Sequence, residues 1–309
     1  MKYQRILEAI AEVPWAISTS KLDQIIGVVE ARAAGVQVTA AEIEAIEKRR
    51  KKYAGVNGRV AVLPLHGTIS QRFGMMTYSS GGTSADEFGR AFDEAIANAE
   101  VGAIVIDCDS GGGSVYGIQE LGDKIFNARG TKPIIAVVNS ECFSACYWLA
   151  AQADEIVITP GGCAGSIGVV TVHFDYSAWN EEVAKVKVTY VHAGRYKVEG
   201  NGDEALGDEA RAEMQKHVDA YYDAFLKAVA RGRGTTPNDV RKNFGEGRIF
   251  MAAEAVSIRM ADRVASFESV VADLNASRKA KPGRQAAARR RLELERKRFP
   301  PRSDAAEKK

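Results

Sequence analysis

Three runs that are almost continuously apolar constrain this chain more than any other feature: Val60-Ala61-Val62-Leu63-Pro64-Leu65, Ala103-Ile104-Val105-Ile106-Asp107 and Ile134-Ile135-Ala136-Val137-Val138. A strand with one wet face alternates apolar and polar residues. A run without that alternation is buried on both faces, as parallel strands covered by helices are. Each run is followed by a segment of helical character, Ser84 to Ala99, Tyr116 to Ala128 and Ser144 to Ala153. Repeated β–α units of this kind predict an α/β domain with largely parallel strands. Glu209 to Arg231 predicts a long helix with Met214, Val218, Tyr221, Tyr222, Phe225 and Val229 on one side, and Phe250 to Val264 a further helix closing the domain.

The ends of the chain read differently. Residues 1–57 predict a helical N-terminal arm, with Ile6, Leu7, Ile10, Leu22, Ile25, Ile26 and Val29 near helical spacing and Thr39 with Glu42 as a capping box. Lys48 to Lys52 closes the arm as a solvated basic face, without aromatic residues interleaved for stacking on bases beyond Tyr53. Residues 272–309 predict a basic tail with too little apolar surface to offset the entropy of ordering it. Residues 276–309 hold 13 Lys and Arg against 4 Asp and Glu, so a net charge of +2 divides into +9 on the tail and −7 on the rest. Nucleic acid is therefore expected, if at all, only at the tail. With 309 residues, 46% of them apolar, one substantial core plus appendages is expected.

Ser144 stands where the third strand gives way to an apolar helix, a position that burial alone would fill with alanine. A strand-to-helix turn is expected to expose its side chain at the sheet edge and to leave the first helical N–H groups free for a developing oxyanion. That is a setting for a nucleophile. Competing readings are weaker. Ser18-Thr19-Ser20-Lys21 is an S-x-x-K string without its Ser-Asp-Asn or Lys-Thr-Gly companions. A Ser-His-Asp triad needs His66, His173, His192 or His217, of which His173 and His192, at expected strand positions, are the serious candidates. Gly111 to Gly113 does not space as G-x-G-x-x-G, and the segment from Gly117 to Lys124 misses the Walker pattern by one insertion, so no nucleotide cofactor is expected. Cys108, Cys142, Cys146 and Cys163 fall in core segments as small hydrophobes, without a second Cys/His pair at zinc spacing, so no metal is expected. No run of eighteen apolar residues and no signal-peptide core appears, and neither export nor a membrane anchor is expected.

Four blocks in order resemble one family: Asp109-Ser110-Gly111-Gly112-Gly113-Ser114-Val115, Ser144-Ala145-Cys146-Tyr147-Trp148-Leu149-Ala150 with Ala153-Asp154-Glu155-Ile156, Gly165-Ser166-Ile167-Gly168-Val169, and Gly194-Arg195-Tyr196-Lys197. From about Gly58 to Val271 the chain resembles the signal peptide peptidase A family of Ser-Lys proteases (family S49), and within it the bacteriophage head maturation (prohead) branch. The resemblance implies a ClpP/crotonase-like spiral of β–α units over residues 58–271. It implies Ser144 as nucleophile, Lys197 as base, Ser166 orienting the lysine, and Gly112, Gly113 and Ala145 lending N–H groups to the oxyanion hole. It also implies scaffold or capsid-related protein substrates, self-cleavage, homo-oligomers, and a place in the host cytoplasm or assembling prohead. Two other readings stay open, a catalytically relic assembly module and a host cytosolic peptidase of the same family. Where the family has Ser-Pro-Gly-Gly this chain has Ser110-Gly111-Gly112-Gly113, and where it has small glycines after the nucleophile this chain has Ala145 and Cys146.

Overall fold

A computed structural model describes residues 13–33, 55–72 and 82–276. The capping box at Thr39, the Lys48–Lys52 cluster and the tail beyond residue 276 lie outside the described residues. The elements are β1 (Trp15–Ile17), α1 (Thr19–Ala33), β2 (Gly55–Asn57), β3 (Val60–Ser70), β4 (Thr83–Ser84), α2 (Ala85–Ala97), β5 (Ala103–Ser114), α3 (Ile118–Asn127), β6 (Ile134–Phe143), α4 (Ala145–Ala150), β7 (Glu155–Ile158) and β8 (Cys163–Gly165). A short helical turn at Ser177–Trp179 leads into a π-turn at Asn180–Ala184. Then come α5 (Asp208–Arg233), α6 (Pro237–Asn243), β9 (Ile249–Met251), α7 (Ala252–Ser257), β10 (Arg263–Val264) and α8 (Phe267–Ala276).

The three apolar runs are the central strands. The sheet runs β10-β7-β6-β5-β3-β2, parallel from β10 to β3 and antiparallel at β2. Alternate residues go to opposite faces. Ile104, Ile106 and Cys108 join Ala136, Val138, Leu63 and Leu65 in the large core, under α2, α3, α4 and α5. Ala103, Val105, Ile135, Val137, Val60 and Val62 face Val270 and Val271 of α8. Both faces are therefore dry, which is why the runs lack the alternation of a half-wet strand.

The helix α4 is apolar at every position because it is wholly buried, with Trp148 stacked on Phe225 of α5 at 4.6 Å between ring centroids. Its C-terminal carbonyls find a donor in Arg129. The guanidinium bonds Gln152 O at 2.7 Å, Ala151 O at 3.0 Å and Gly232 O at 3.1 Å, and also reaches Ala153 O. Burial pulls this guanidinium down to about 10, against the opposing charge of Asp154, so it remains a cation at neutral pH. The arrangement anchors the chain just past the end of α4 to α5.

Four segments differ from the sequence expectation: Gly55–Asn57 is the edge strand β2 rather than the end of a helical arm, residues 272–276 complete α8 rather than open the tail, and two further segments depart as follows. Trp15–Ile17 is a strand rather than part of a helix, because its backbone pairs on both edges: antiparallel to Gly112–Ser114 on one side and reciprocally with Val170 on the other, at 2.8 Å each way. The segment from Phe250 to Val264 is not one helix. Its first residues pair antiparallel with β8, α7 ends at Ser257, and Arg259 takes a left-handed φ of +66° that turns the chain into β10.

Candidate active site

Ser144 sits between the end of β6 and α4 in a backbone conformation that L-residues rarely adopt, φ +53° and ψ −117°. Such a strained residue persists only where its surroundings over-determine it. They do so here. The Ser144 N–H donates to Gly165 O at 2.8 Å, its hydroxyl donates to Gly168 O at 3.3 Å, and its own carbonyl accepts from Trp148 N to start the helix. The expected exposed turn is not what forms, since Ser144 is fully buried. The reason is its neighbour. A methyl group built on Gly112 would lie 3.0 Å from Ser144 Cβ, 2.3 Å from the Ala16 carbonyl and 3.1 Å from Ile17 Cα, so β1 shares the space beside the serine.

The glycine run is equally confined. Gly112 has φ +101°, and Gly113 faces Ile69 O so closely that a Cβ there would lie 1.8 Å away. Only glycine fits either position. The Gly112 N–H is already engaged, donating to Ser110 Oγ at 3.1 Å, while Ser110 donates to Gly67 O at 2.5 Å. Ala145 supplies the first N–H of α4, one of the groups a helix leaves without an internal acceptor. Ser166 is brought close through Gly165 and is held at φ +56° by its N–H bond to Arg248 O at 2.8 Å. Its hydroxyl makes no hydrogen bond among the described residues.

No hydrogen bond or ion pair joins Lys197 to this cluster among the described residues. Lys197 lies exposed in the turn that begins at Gly194, with its backbone N–H bonded to Gly194 O at 3.1 Å. The preceding segment is conspicuously apolar and wet, with Trp179, Val183, Val186, Val188 and Val191 all exposed, Val191 at 98%.

The histidines take other partners. His173 and His192 are in no strand. His173 Nε2 bonds Asn201 O at 3.0 Å and His192 Nδ1 bonds Gly194 O at 3.1 Å. His66, set aside on sequence, is the one in contact with a buried carboxylate: Asp107 lies 3.1 Å from its Nε2 and also accepts from Asn139 at 3.1 Å. By the alternation of β3, β5 and β6 that row falls on the face toward α8, away from α4.

Sequence reasoning also missed Lys21. Its stem packs against Gly111, its ammonium lies 3.5 Å from Glu141, and Ser18 N–H bonds Gly111 O at 2.9 Å, so the S-x-x-K string borders the glycine run instead of lying in a remote arm. No signal inside residues 18–21 announces a partner so distant in the chain.

Three thiols, those of Cys108, Cys142 and Cys146, lie within 4.8 Å of one another beneath the serine. Burial pushes the Cys142 and Cys146 thiols well above the ordinary range, and raises half-buried Cys163 as well. They should therefore stay protonated and unreactive. Iodoacetamide at a pH of about 8, below the ordinary thiol range, should modify Cys163 slowly and the other three only after denaturation, read by mass spectrometry. Rapid alkylation of Cys142 or Cys146 in the folded chain would contradict this packing.

Residues 127–281 match the model of peptidase family S49, half of the chain, and the chain belongs to that family. It is 34% identical over 212 residues to the head-tail preconnector protein GP5 of Enterobacteria phage P21, an alignment covering 69% of this chain and 42% of that protein. It is 30% identical over 217 residues to the capsid assembly protease C of Escherichia phage lambda, covering 70% and 48%. The chain thus spans less than half the length of either relative. Among solved structures, a point mutant of ClpP1 from Listeria monocytogenes aligns with a TM-score of 0.41 at 14% identity over 74% of this chain and 99% of that one. Among the described residues no helix is long and apolar enough to cross a membrane.

Proposed function

We propose that the chain is a serine endopeptidase working by a Ser-Lys dyad, cleaving scaffold or capsid-related proteins, itself among them, during phage head maturation. The observation that carries this reading is the strained backbone of Ser144, wedged between the glycine strand Gly112–Ser114 and Gly165–Gly168. In it, Ser144 Oγ attacks the scissile carbonyl and its proton passes to the amine of Lys197, aimed by Ser166. Lys197 returns the proton to the leaving amine, and water then releases the acyl group from Ser144. The N–H groups of Gly112, Gly113 and Ala145 hold the oxyanion, which for Gly112 requires its bond to Ser110 Oγ to give way. The names of the phage relatives, one a capsid assembly protease, support the substrate class.

The exposure of Lys197 in a single chain sets a condition on this mechanism. A lysine acts as base only when neutral, and loss of water is what favours the neutral amine. The exposed apolar residues from Trp179 to Val191 are what a second copy of the chain would cover, so the working form is a homo-oligomer in the host cytoplasm or prohead. The catalytic unit takes in residues 58–271 together with Trp15–Ile17 and Gly55–Asn57, which pair into its sheet, and the end of α8 at Ala276. The same exposure is what a relic assembly module would show, and one experiment separates the two. Co-expression with the scaffold and capsid proteins of its own phage, followed by mass spectrometry, is expected to yield defined fragments; intact partners throughout would favour the relic.

A further inference from the structure

The strand β1 occupies a place that its own sequence does not require. It fills the slot between Gly112–Ser114 and Val170, pairing antiparallel in the register Trp15 with Ser114, Ala16 with Gly113 and Ile17 with Gly112. Both of its edges are used: Trp15 exchanges two bonds with Val170, while Val115 N donates to Pro14 O at 3.2 Å and Ser18 N to Gly111 O at 2.9 Å. Its side chains alternate. Trp15 and Ile17 enter a small cluster with Leu22, Ile25 and Val170, while Ala16, fully buried, points into the large core that holds Ala145. The peptide group between Ala16 and Ile17 is the part that crowds Gly112 beside Ser144. An extended segment gripped by backbone on both edges, with alternate pockets for its side chains, is how a peptide is held by strand addition.

We propose that Trp15–Ile17 is a cis-bound peptide seated in the substrate groove of Ser144, and that the groove takes an extended peptide whose small residue, flanked by two large apolar ones, faces the serine. This rests on the reading of Ser144 as the nucleophile of a peptidase. The space for a longer peptide is present. A cleft of about 570 Å³ opens at Pro14, lined by Tyr116, Val172, Phe174, Met214 and Tyr221. A segment of the same chain competes at an effective concentration set by its tether, whatever the dilution, so an incoming peptide must displace it. The apparent affinity of any outside peptide falls by the fraction of time the groove stands open. The chain is thereby quiet toward dilute substrates and active toward those concentrated against it.

The test uses the full chain carrying Ser144→Ala, so that binding is read without turnover. The probe is a fluorescein-labelled hexapeptide of the sequence Val-Pro-Trp-Ala-Ile-Ser, followed by anisotropy, with and without the further substitutions Trp15→Ser and Ile17→Ser. Emptying the groove should tighten binding at least about tenfold, the effect of raising the open fraction from a tenth or less to near unity. Because those two substitutions can unfold the domain, hydrogen exchange on the unsubstituted strand is the second measurement. Saturating unlabelled peptide should accelerate exchange of the Trp15 amide, displaced with β1, while the amides of Val170, β5 and β6 stay protected because the peptide takes over the bonds of β1. A Trp15 amide as protected as the central sheet and indifferent to peptide would overturn the proposal and make β1 a fixed part of the fold. Competition by the peptide with no hydrolysis in any chain carrying Ser144 would leave the groove standing and remove the peptidase reading. Hydrolysis that is unaffected by Trp15→Ser and Ile17→Ser, without competition, would do the reverse.

Discussion

Ser144→Ala is expected to abolish hydrolysis of any protein substrate, by at least about three orders of magnitude, while the chain stays folded. The two effects separate cleanly because the hydroxyl does little for stability. It makes one buried bond, to Gly168 O, worth about 1 kcal/mol net, and it does not cap α4. A melting temperature lower by about 2–4 °C is the expected cost in a domain of this size. Alanine inherits the strain of φ +53°, whereas glycine does not, and relief of about 1–3 kcal/mol outweighs the roughly 0.5–1 kcal/mol that glycine loses in chain entropy. Ser144→Gly should therefore be equally inactive and at least as stable as Ser144→Ala. Thermal melts of both beside a cleavage assay check this; residual cleavage by either variant would remove Ser144 from the mechanism.

The central sheet is legible in the sequence because its cause is local. Val60–Leu65, Ala103–Asp107 and Ile134–Val138 are apolar on both faces, and both faces are in fact covered, by four helices on one side and α8 on the other. The turn at Ser144 is legible for the same reason, a polar residue standing at the head of a wholly apolar helix. Its burial is not, since that depends on β1, a strand of three residues whose pairing partners lie about a hundred positions away. Three residues carry no usable periodicity, and Trp-Ala-Ile suits a helix as well as a strand. The break inside Phe250–Val264 is hidden because it rests on a left-handed Arg259, where composition offers no glycine to betray the turn. His66 gives no sign of its partner because only the parallel pairing of β3 with β5, which sets Pro64 opposite Asp107 and His66 opposite Asp109, puts the histidine diagonally across from Asp107. Lys197 is nominated by a four-residue block alone, and a single copy of the chain leaves it in water.

That last fact makes Lys197→Arg the sharper trial of the dyad. Arginine keeps the length and charge but its guanidinium does not give up its proton at any working pH, so as a general base it is inert. Activity should fall to the level of Ser144→Ala, although the side chain is exposed and the substitution should leave stability within about 0.5 kcal/mol of the parent. A lysine acts as base only as the neutral amine, and removing water around it is what favours that form. Covering the exposed stretch from Trp179 to Val191 by another copy provides that removal. The rate is then expected to fall faster than linearly on dilution as copies separate. A Lys197→Arg enzyme that still cleaves, or a rate strictly proportional to concentration down to dilute monomer, would take Lys197 out of the reaction and turn attention to Lys21, whose stem already packs against Gly111.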